Sequence, residues 1–136
     1  MMETRSSRPT EQAEVTLTVP ADSRYLSVVR TAAAGLGARL DFTLDDIEDL
    51  RIAVDEACVL LLKQARPESQ VRCEFTVEGL GLGVRASAPC HRPKVPPRDG
   101  FSWTVLSALT TTLAMEVQDG ELVISLTRSR GGDDLL

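Results

Sequence analysis

Glu56 is the residue whose type and setting could do chemistry. Ile52, Val59 and Leu60 surround it on one side of a stretch with a helical pattern. A carboxylate walled by apolar groups can serve as a general base or as the charged group of a pocket. A helix that is apolar on two sides can also simply pack between a sheet and another element. The pattern alone leaves both interpretations open.

The cysteines and the single histidine offer a second chemistry. Cys90 and His91 are adjacent and could form half of a metal or nucleophile site, but no further ligand pattern accompanies them. Cys58 falls on a helical core stripe and Cys73 on an alternating strand, as small buried hydrophobic residues do. With no CxxC pair, the sequence predicts reduced thiols and no metal site, and leaves the role of Cys90 and His91 open.

Composition narrows the class of protein. The 136 residues suffice for one domain with a substantial core. The net charge of −5 disfavours direct nucleic-acid binding and suits a partner with a basic surface. The first twelve residues are polar, and no run approaches the ~18 apolar residues of a membrane span. We therefore expect a cytoplasmic protein with no membrane contact.

Residues 44–66 must position Glu56, and they are predicted to form one long helix. Its core stripe repeats at spacings of three and four residues. Thr43 is a favourable N-cap with Asp46 three residues later, and Pro67 stops the helix. The stripe consists of Ile47, Leu50, Val54, Ala57, Cys58, Leu61 and Ala65.

A strand and a helix precede this central helix. Apolar and polar residues alternate over residues 13–19, which predicts a half-buried strand. Residues 22–36 are predicted to form a helix that Gly35 and Gly37 end.

Two hairpins and a last helix follow the central helix. Residues 70–87 alternate about a glycine turn and predict a β-hairpin. Residues 101–113 predict a helix, and residues 114–128 a second hairpin about the strong turn signal Asp119-Gly120.

The element order is therefore β-α-α-β-β-α-β-β. It predicts an α/β (α+β) two-layer sandwich, in which three helices cover one face of a mixed, mostly antiparallel five-stranded sheet. We assign the domain to residues 13–128, with a disordered tail over residues 1–12 and a frayed tail over residues 129–136.

Residues 88–100 form a Pro-rich loop, which is the only locally basic stretch of an acidic chain. Its cations are Arg92, Lys94 and Arg98. The loop is either a solvated surface segment or a binding lid.

Two stretches of the chain are similar to a known family. Residues 20–58 read PADSRYLSVVRTAAAGLGARLDFTLDDIEDLRIAVDEAC, and residues 101–109 read FSWTVLSAL. The longer stretch resembles the N-terminal half of the bacterial anti-sigma-factor serine kinases of the RsbW and SpoIIAB type. The shorter stretch resembles most the actinobacterial UsfX/UshX branch of that family. The family is part of the GHKL group, so the resemblance implies the Bergerat ATP-binding fold.

The resemblance also implies a function. Such proteins sequester an alternative RNA polymerase sigma factor, bind it as a homodimer, and release it to a STAS-domain anti-anti-sigma factor. Many phosphorylate a serine of that antagonist with ATP. We expect an anti-sigma factor with a degenerate ATP pocket. The alternatives are an active serine protein kinase that acts on its STAS antagonist, and a scaffolding protein that retains only the fold.

The first ATP-binding box of the family is altered here. Glu56-Ala57 is present, and the family's Glu is its candidate general base. Leu60 stands where the family has the Asn that binds Mg²⁺, and Gln64 replaces the usual His. A leucine offers no oxygen to a hard cation.

The second and third boxes are altered as well. Ser87-Ala88-Pro89-Cys90 stands where the resemblance places Asp-x-Gly-x-Gly, and the third box retains Gly100 but continues Phe101-Ser102-Trp103. The resemblance therefore implies a degenerate nucleotide site at Glu56, Leu60, Ser87, Gly100 and Ser102. We expect Glu56 to be a vestigial base, paired with Lys63 or a loop arginine, and we expect no ATP or Mg²⁺ cofactor.

Family members contact the sigma factor through the first helix and the region of the nucleotide loop. Four arginines of this chain fall on the matching surface, and we predict that they bind the partner. They are Arg24, Arg30, Arg92 and Arg98.

Overall fold

One antiparallel sheet of five strands supports the structure, which a computed structural model describes for residues 13–131. The strands are β1 (Val15–Pro20), β2 (Gln70–Glu78), β3 (Gly81–Pro89), β4 (Thr112–Gln118) and β5 (Glu121–Ser129). They lie in the order β1-β2-β3-β5-β4, and each neighbouring pair is antiparallel. The described strands form no parallel pair. The sheet is therefore antiparallel between all neighbouring strands, whereas the prediction was a mixed, mostly antiparallel sheet. Hairpins join β2 to β3 and β4 to β5. The first helical connection joins the antiparallel neighbours β1 and β2, and the second leads from β3 past β5 to β4, which runs in the same direction as β3.

Three helices cover one face of this sheet, which confirms the predicted two-layer fold and element order. They are α1 (Leu26–Arg39), α2 (Leu44–Gln64) and α3 (Phe101–Leu109). A short 3₁₀ turn, Ser23–Tyr25, precedes α1. α2 lies in the middle of the helical layer and contacts α1, α3 and the sheet. Packing explains Val59 and Leu60 on its second apolar side, whereas Ile52 is 43% exposed.

The start of α2 is fixed as its sequence predicts. The Thr43 hydroxyl accepts a hydrogen bond from the Asp46 N–H at 3.1 Å, and the Asp46 carboxylate accepts one from the Thr43 N–H at 3.3 Å. This capping box satisfies two backbone donors that the helix would otherwise leave free.

The end of α1 differs from the prediction. The helix continues through Gly35 and Gly37 to Arg39, and Asp41 then takes a left-handed backbone with φ of 63°. The N–H of Phe42 donates to the Gly37 carbonyl at 3.0 Å, which completes a Schellman motif. Aspartate tolerates the left-handed region, so no glycine is needed to end the helix.

Gly37 instead serves the packing of α1 on α2. A Cβ at Gly37 would lie 3.3 Å from the Phe42 ring and 3.4 Å from Ile47. The missing side chain thus allows the chain to turn closely from one helix into the next.

The predicted last helix is four residues too long. α3 ends at Leu109, and Thr110 is already extended. β4 begins at Thr112, before the predicted Ala114. β-branched threonines lose little side-chain freedom in a strand, and Thr112 here begins β4.

The first residues of the predicted frayed tail, 129–136, are held by the fold. Ser129 is the last residue of β5, and the Gly131 N–H donates to the Asp46 carboxylate at 2.9 Å. Residues 132–136 and the predicted disordered tail over residues 1–12 lie outside the described residues.

A buried ion network joins the start of α2 to the end of β5. Arg128 lies 2.8 Å from Asp46 and 3.2 Å from Asp49, and it donates to the Leu109 carbonyl at 3.0 Å. Burial raises the pKa of Asp46, but hydrogen bonds from Arg128, Gly131 and Thr43 outweigh burial and lower that pKa to about 2. This network holds three elements together at one end of α2.

Candidate functional site

Glu56 and Ser102 meet, although 46 residues separate them in the chain. The Ser102 hydroxyl donates to the Glu56 carboxylate at 2.9 Å, from the first turn of α3 to the middle of α2. Both side chains are half-buried. The expected pairing of Glu56 with Lys63 or a loop arginine is wrong, since a neutral hydroxyl is its partner within the described residues. The structure therefore brings together residues of the first and third boxes.

Leu60 and Gly100 complete this part of the site. Leu60 is only 6% exposed and belongs to the hydrophobic core. Gly100 is the N-cap residue of α3 and donates its N–H to the Pro97 carbonyl at 3.1 Å; a Cβ there would lie 3.2 Å from the same oxygen. The glycine thus serves a tight turn of the loop.

These residues do not fit Mg²⁺-ATP. The position of the Mg²⁺ ligand holds a buried hydrocarbon side chain, which supplies no oxygen. Across residues 13–131, no group of three or more His, Cys, Asp or Glu side chains could hold a metal ion.

Ser87 lies away from this site. Its neighbours Ala86 and Ala88 belong to the core under the helices, so Ser87 points to the other face of the sheet. There it lines a shallow pocket together with Thr18 and Arg72. The predicted set of nucleotide-site residues is therefore divided between two faces of the sheet.

The loop between β3 and α3 is tied to the end of α2. The side-chain amide of Gln64 donates to the Lys94 carbonyl at 2.8 Å and accepts from the Lys94 N–H at 2.9 Å. Ala65 forms a β-bridge with Cys90, and the Arg66 N–H donates to the Pro89 carbonyl at 2.9 Å. No sequence pattern indicates that Gln64 binds Lys94, because the two residues lie 30 positions apart in the chain.

All three cysteines are buried. Cys90 is buried, its thiol 3.4 Å from the Ala88 carbonyl, whereas His91 is exposed, so they do not face a common site. Cys58 and Cys73 are fully buried, as predicted. A hydrogen bond with Cys73 and burial raise the pKa of the Cys58 thiol, which therefore stays protonated.

The four predicted partner-binding arginines have different surroundings. Arg24 forms an ion pair with Asp22 at 2.8 Å. Arg30 of α1 pairs with Asp55 of α2 at 2.5 Å. The guanidinium of Arg98 stacks 4.9 Å from the centre of the Trp103 ring, and Arg92 is exposed.

The hydrogen bond between Asp22 and Arg24 lowers the pKa of the Asp22 carboxyl to about 2 and raises the pKa of Arg24. Arg24 is thus already engaged by a local carboxylate. The sequence could have indicated this pair, since its members lie two residues apart.

Several known proteins are similar to this chain in sequence, although no protein-family model matches it. The anti-sigma-F factor RsbW of Mycobacterium tuberculosis is 37% identical over 95 residues, which cover 70% of this chain and 56% of that relative. The serine-protein kinase RsbW of Halalkalibacterium halodurans is 46% identical over 54 residues, which cover 40% of this chain and 33% of the relative. The chain thus matches about half the length of the mycobacterial relative and a third of the other.

A solved structure shares the fold. The crystal structure of the RsbU and RsbW domains of a Mycobacterium tuberculosis protein superposes with a TM-score of 0.65 at 14% identity, covering 85% of this chain and 32% of that chain. At that identity the likeness concerns the fold alone. The chain is thus similar in sequence to an anti-sigma-F factor and a serine-protein kinase that are both named RsbW, and similar in fold to a structure that contains an RsbW domain.

Proposed function

We propose that the chain is an anti-sigma factor that binds an alternative RNA polymerase sigma factor and is countered by a STAS-domain anti-anti-sigma factor. The longer of the two sequence matches is to an anti-sigma-F factor. Within residues 13–131, no helix is both long and apolar enough to cross a membrane. The proposed location is the bacterial cytoplasm, where a sigma factor meets RNA polymerase, and the proposed state is a homodimer.

The observation that carries the mechanism is Leu60, buried where the family holds Mg²⁺. Position 60 supplies no side-chain oxygen to a metal that bridges nucleotide phosphates. We propose that it acts by occlusion and that release of the sigma factor rests on competition. Antagonist and sigma factor then share or overlap one surface, and another kinase sets the phosphorylation state of the antagonist.

A second candidate function is an active serine protein kinase. The favouring observation is the Glu56 carboxylate, which accepts a hydrogen bond from a serine hydroxyl at 2.9 Å. A base that receives a substrate hydroxyl needs this geometry. In this structure, however, the hydroxyl belongs to the chain's own Ser102.

A reconstituted assay separates the two candidates. A pull-down from the host identifies the sigma factor and its antagonist, and purified proteins are then combined without ATP. We expect the antagonist to release the sigma factor, with the Glu56→Ala variant behaving as the wild type does, because no proton transfer is involved. Calorimetry with Mg²⁺-ATP at tens of micromolar protein should show no binding. A tight, Mg²⁺-dependent isotherm, or release that requires ATP, would favour the kinase.

A further inference from the structure

Residues 91–100, here called the basic loop, have a fixed position. Gln64 clamps Lys94 through both its N–H and its carbonyl, at 2.9 Å and 2.8 Å. A surface loop usually lacks such attachment and is mobile. Because one side chain satisfies both backbone groups of one residue, the middle of the loop is held to the end of α2 without any ligand.

Both ends of the basic loop are also held. At its start, Cys90 forms the bridge with Ala65 and donates its N–H to the Gly120 carbonyl at 3.0 Å. At its end, Arg98 stacks on Trp103. Three prolines within the loop, Pro93, Pro96 and Pro97, reduce the freedom of the unfolded segment and so favour one conformation.

The cations of the basic loop are available to a partner. Arg92, Lys94 and Arg98 are exposed, and none of them forms an ion pair with any of residues 13–131. Arg24 and Arg30, by contrast, already pair with carboxylates of their own chain. In a chain with a net charge of −5, this local excess of positive charge favours an acidic partner.

An exposed aromatic side chain adjoins these cations. Phe101, the first residue of α3, is 80% exposed, and Val95 within the loop is 38% exposed. Aromatic residues and arginine are enriched at the centres of protein interfaces. Phe101 thus presents exposed apolar surface directly after the loop that carries the cations.

We infer that the basic loop and Phe101 form a preformed docking surface for an acidic protein segment that carries an apolar side chain. This inference rests on the proposed function in that the chain acts by binding proteins. It goes further in adding Lys94 and Phe101 to the predicted Arg92 and Arg98, and in assigning to Gln64 the role of positioning the loop.

The first test uses two synthetic probes. One is a fluorescein-labelled 16-residue peptide of Glu and Leu in a three-to-one ratio, and the other has Ser in place of Leu. We expect the wild-type protein to bind the Leu peptide more tightly in fluorescence anisotropy, and added salt to weaken both. The Arg92→Glu/Lys94→Glu variant should lose at least tenfold in affinity for both peptides. Phe101→Ala should bind the Leu peptide only as tightly as the Ser peptide.

Two matched variants control for general effects of charge and exposed apolar area. Arg39→Glu reverses one exposed charge at the end of α1, and Leu44→Ala removes a side chain that is 84% exposed at the opposite end of α2. Neither should change peptide affinity by more than about twofold, since surface changes remote from an interface have little effect. Absence of peptide binding by the wild type, or equal losses in the controls, would overturn the inference.

The second test concerns the clamp. Hydrogen exchange of the Lys94 amide should accelerate at least tenfold in Gln64→Ala, while Gln70→Ala, an exposed glutamine of β2, should leave it unchanged. The Gln64→Ala variant should also bind the Leu peptide less tightly. Unchanged exchange would refute the positioning role of Gln64. If the wild type binds the peptide but no sigma factor, the proposed function fails and the docking surface stands.

Discussion

Two carboxylates of α2, those of Asp46 and Glu56, differ in burial and in the number of their hydrogen-bond partners. Near the start of the helix, Asp46 is buried and accepts hydrogen bonds from Thr43, Arg128 and Gly131. In the middle, Glu56 is half-buried and accepts one hydrogen bond from a hydroxyl, that of Ser102. Asp46 is therefore held by several charged and backbone partners, whereas Glu56 is held by one hydroxyl.

This difference shows that a perturbed carboxylate need not mark a functional site. Burial raises the pKa of Asp46, but hydrogen bonds from Arg128, Gly131 and Thr43 lower it to about 2, and these bonds join α2 to the end of β5. Structural ion networks perturb pKa values as active sites do. Glu56 is part of the motif that resembles the family, but a single hydrogen bond from Ser102 holds its side chain. We therefore expect the fold to tolerate a substitution of Glu56.

The largest expected effect is at the buried end. Arg128→Met keeps an apolar stem but removes the charge that faces Asp46, which is buried. A buried charge left without its partner typically costs about 3 kcal/mol or more in the free energy of unfolding. Urea denaturation followed by circular dichroism measures this loss.

The matched control is Arg51→Met. Arg51 pairs with Glu48 at 2.8 Å on the exposed side of the same helix. Exposed pairs contribute little, so the loss should stay below about 0.5 kcal/mol. Similar losses in both variants would contradict the contrast between a buried network and the exposed surface of α2.

A second prediction concerns pH. Because the pKa of Asp46 is lowered from 3.8 to about 2 in the folded protein, the unfolded chain binds more protons in this range. The contribution of Asp46 is therefore present above about pH 5 and lost as the pH falls toward 2; it is worth about 2 kcal/mol. Asp46→Asn should be less stable than the wild type at pH 6, with a difference that shrinks by roughly that amount at pH 2. A difference independent of pH would show that the ion pair is not what stabilises this end.

The sequence predicts the first half of α2 better than the second, and the reason is distance along the chain. The capping box joins Thr43 to Asp46, three residues apart, and follows from local chemistry. The turn at Asp119-Gly120 is likewise local, and both residues have the expected positive φ. The partners Asp46 and Arg128 lie 82 residues apart, so only the folded sheet brings them together.

Other misassignments had a signal that the sequence contained. Strand alternation places Ala86 and Ala88 on the core face and therefore directs Ser87 away from Glu56. The family resemblance assigned Ser87 to the nucleotide site, whereas the alternation of the strand correctly predicts that Ser87 lies on the other face of the sheet. The Gln64 clamp had no such signal, because a loop backbone offers the same donors and acceptors everywhere.

A smaller effect is expected at the hydrogen bond between Ser102 and Glu56. Glu56→Ala and Ser102→Ala each remove one side of the 2.9 Å hydrogen bond. A double-mutant cycle should give a coupling of about 1 to 2 kcal/mol in the free energy of unfolding, because the acceptor is a carboxylate but both side chains are only half-buried. A coupling of about 3 kcal/mol or more, the size expected for a buried charge pair, would place Glu56 in the same class as Asp46.

A still smaller effect than at Ser102 and Glu56 is expected where α1 meets α2. Arg30 and Asp55 form an ion pair whose side chains are each about one-third exposed, 34% and 36%. Arg30→Glu should therefore cost only about 0.5 to 1 kcal/mol, part of it repulsion from Asp55. The swapped variant, Arg30→Glu with Asp55→Arg, should recover most of that loss in urea denaturation.

The same variants distinguish the two arginine groups in partner binding. Arg30→Glu is predicted to weaken binding of the sigma factor without unfolding the chain, because a reversed charge opposes a complementary patch. Since Asp55 already neutralises Arg30, we expect a smaller loss in affinity than for Arg92→Glu/Lys94→Glu, whose cations have no carboxylate partner in residues 13–131. Calorimetric titration with the purified sigma factor measures both. If Arg30→Glu lost more affinity than the loop variant with its melting curve unchanged, the α1 surface would be the electrostatic centre of the interface, and the basic loop would be peripheral to it.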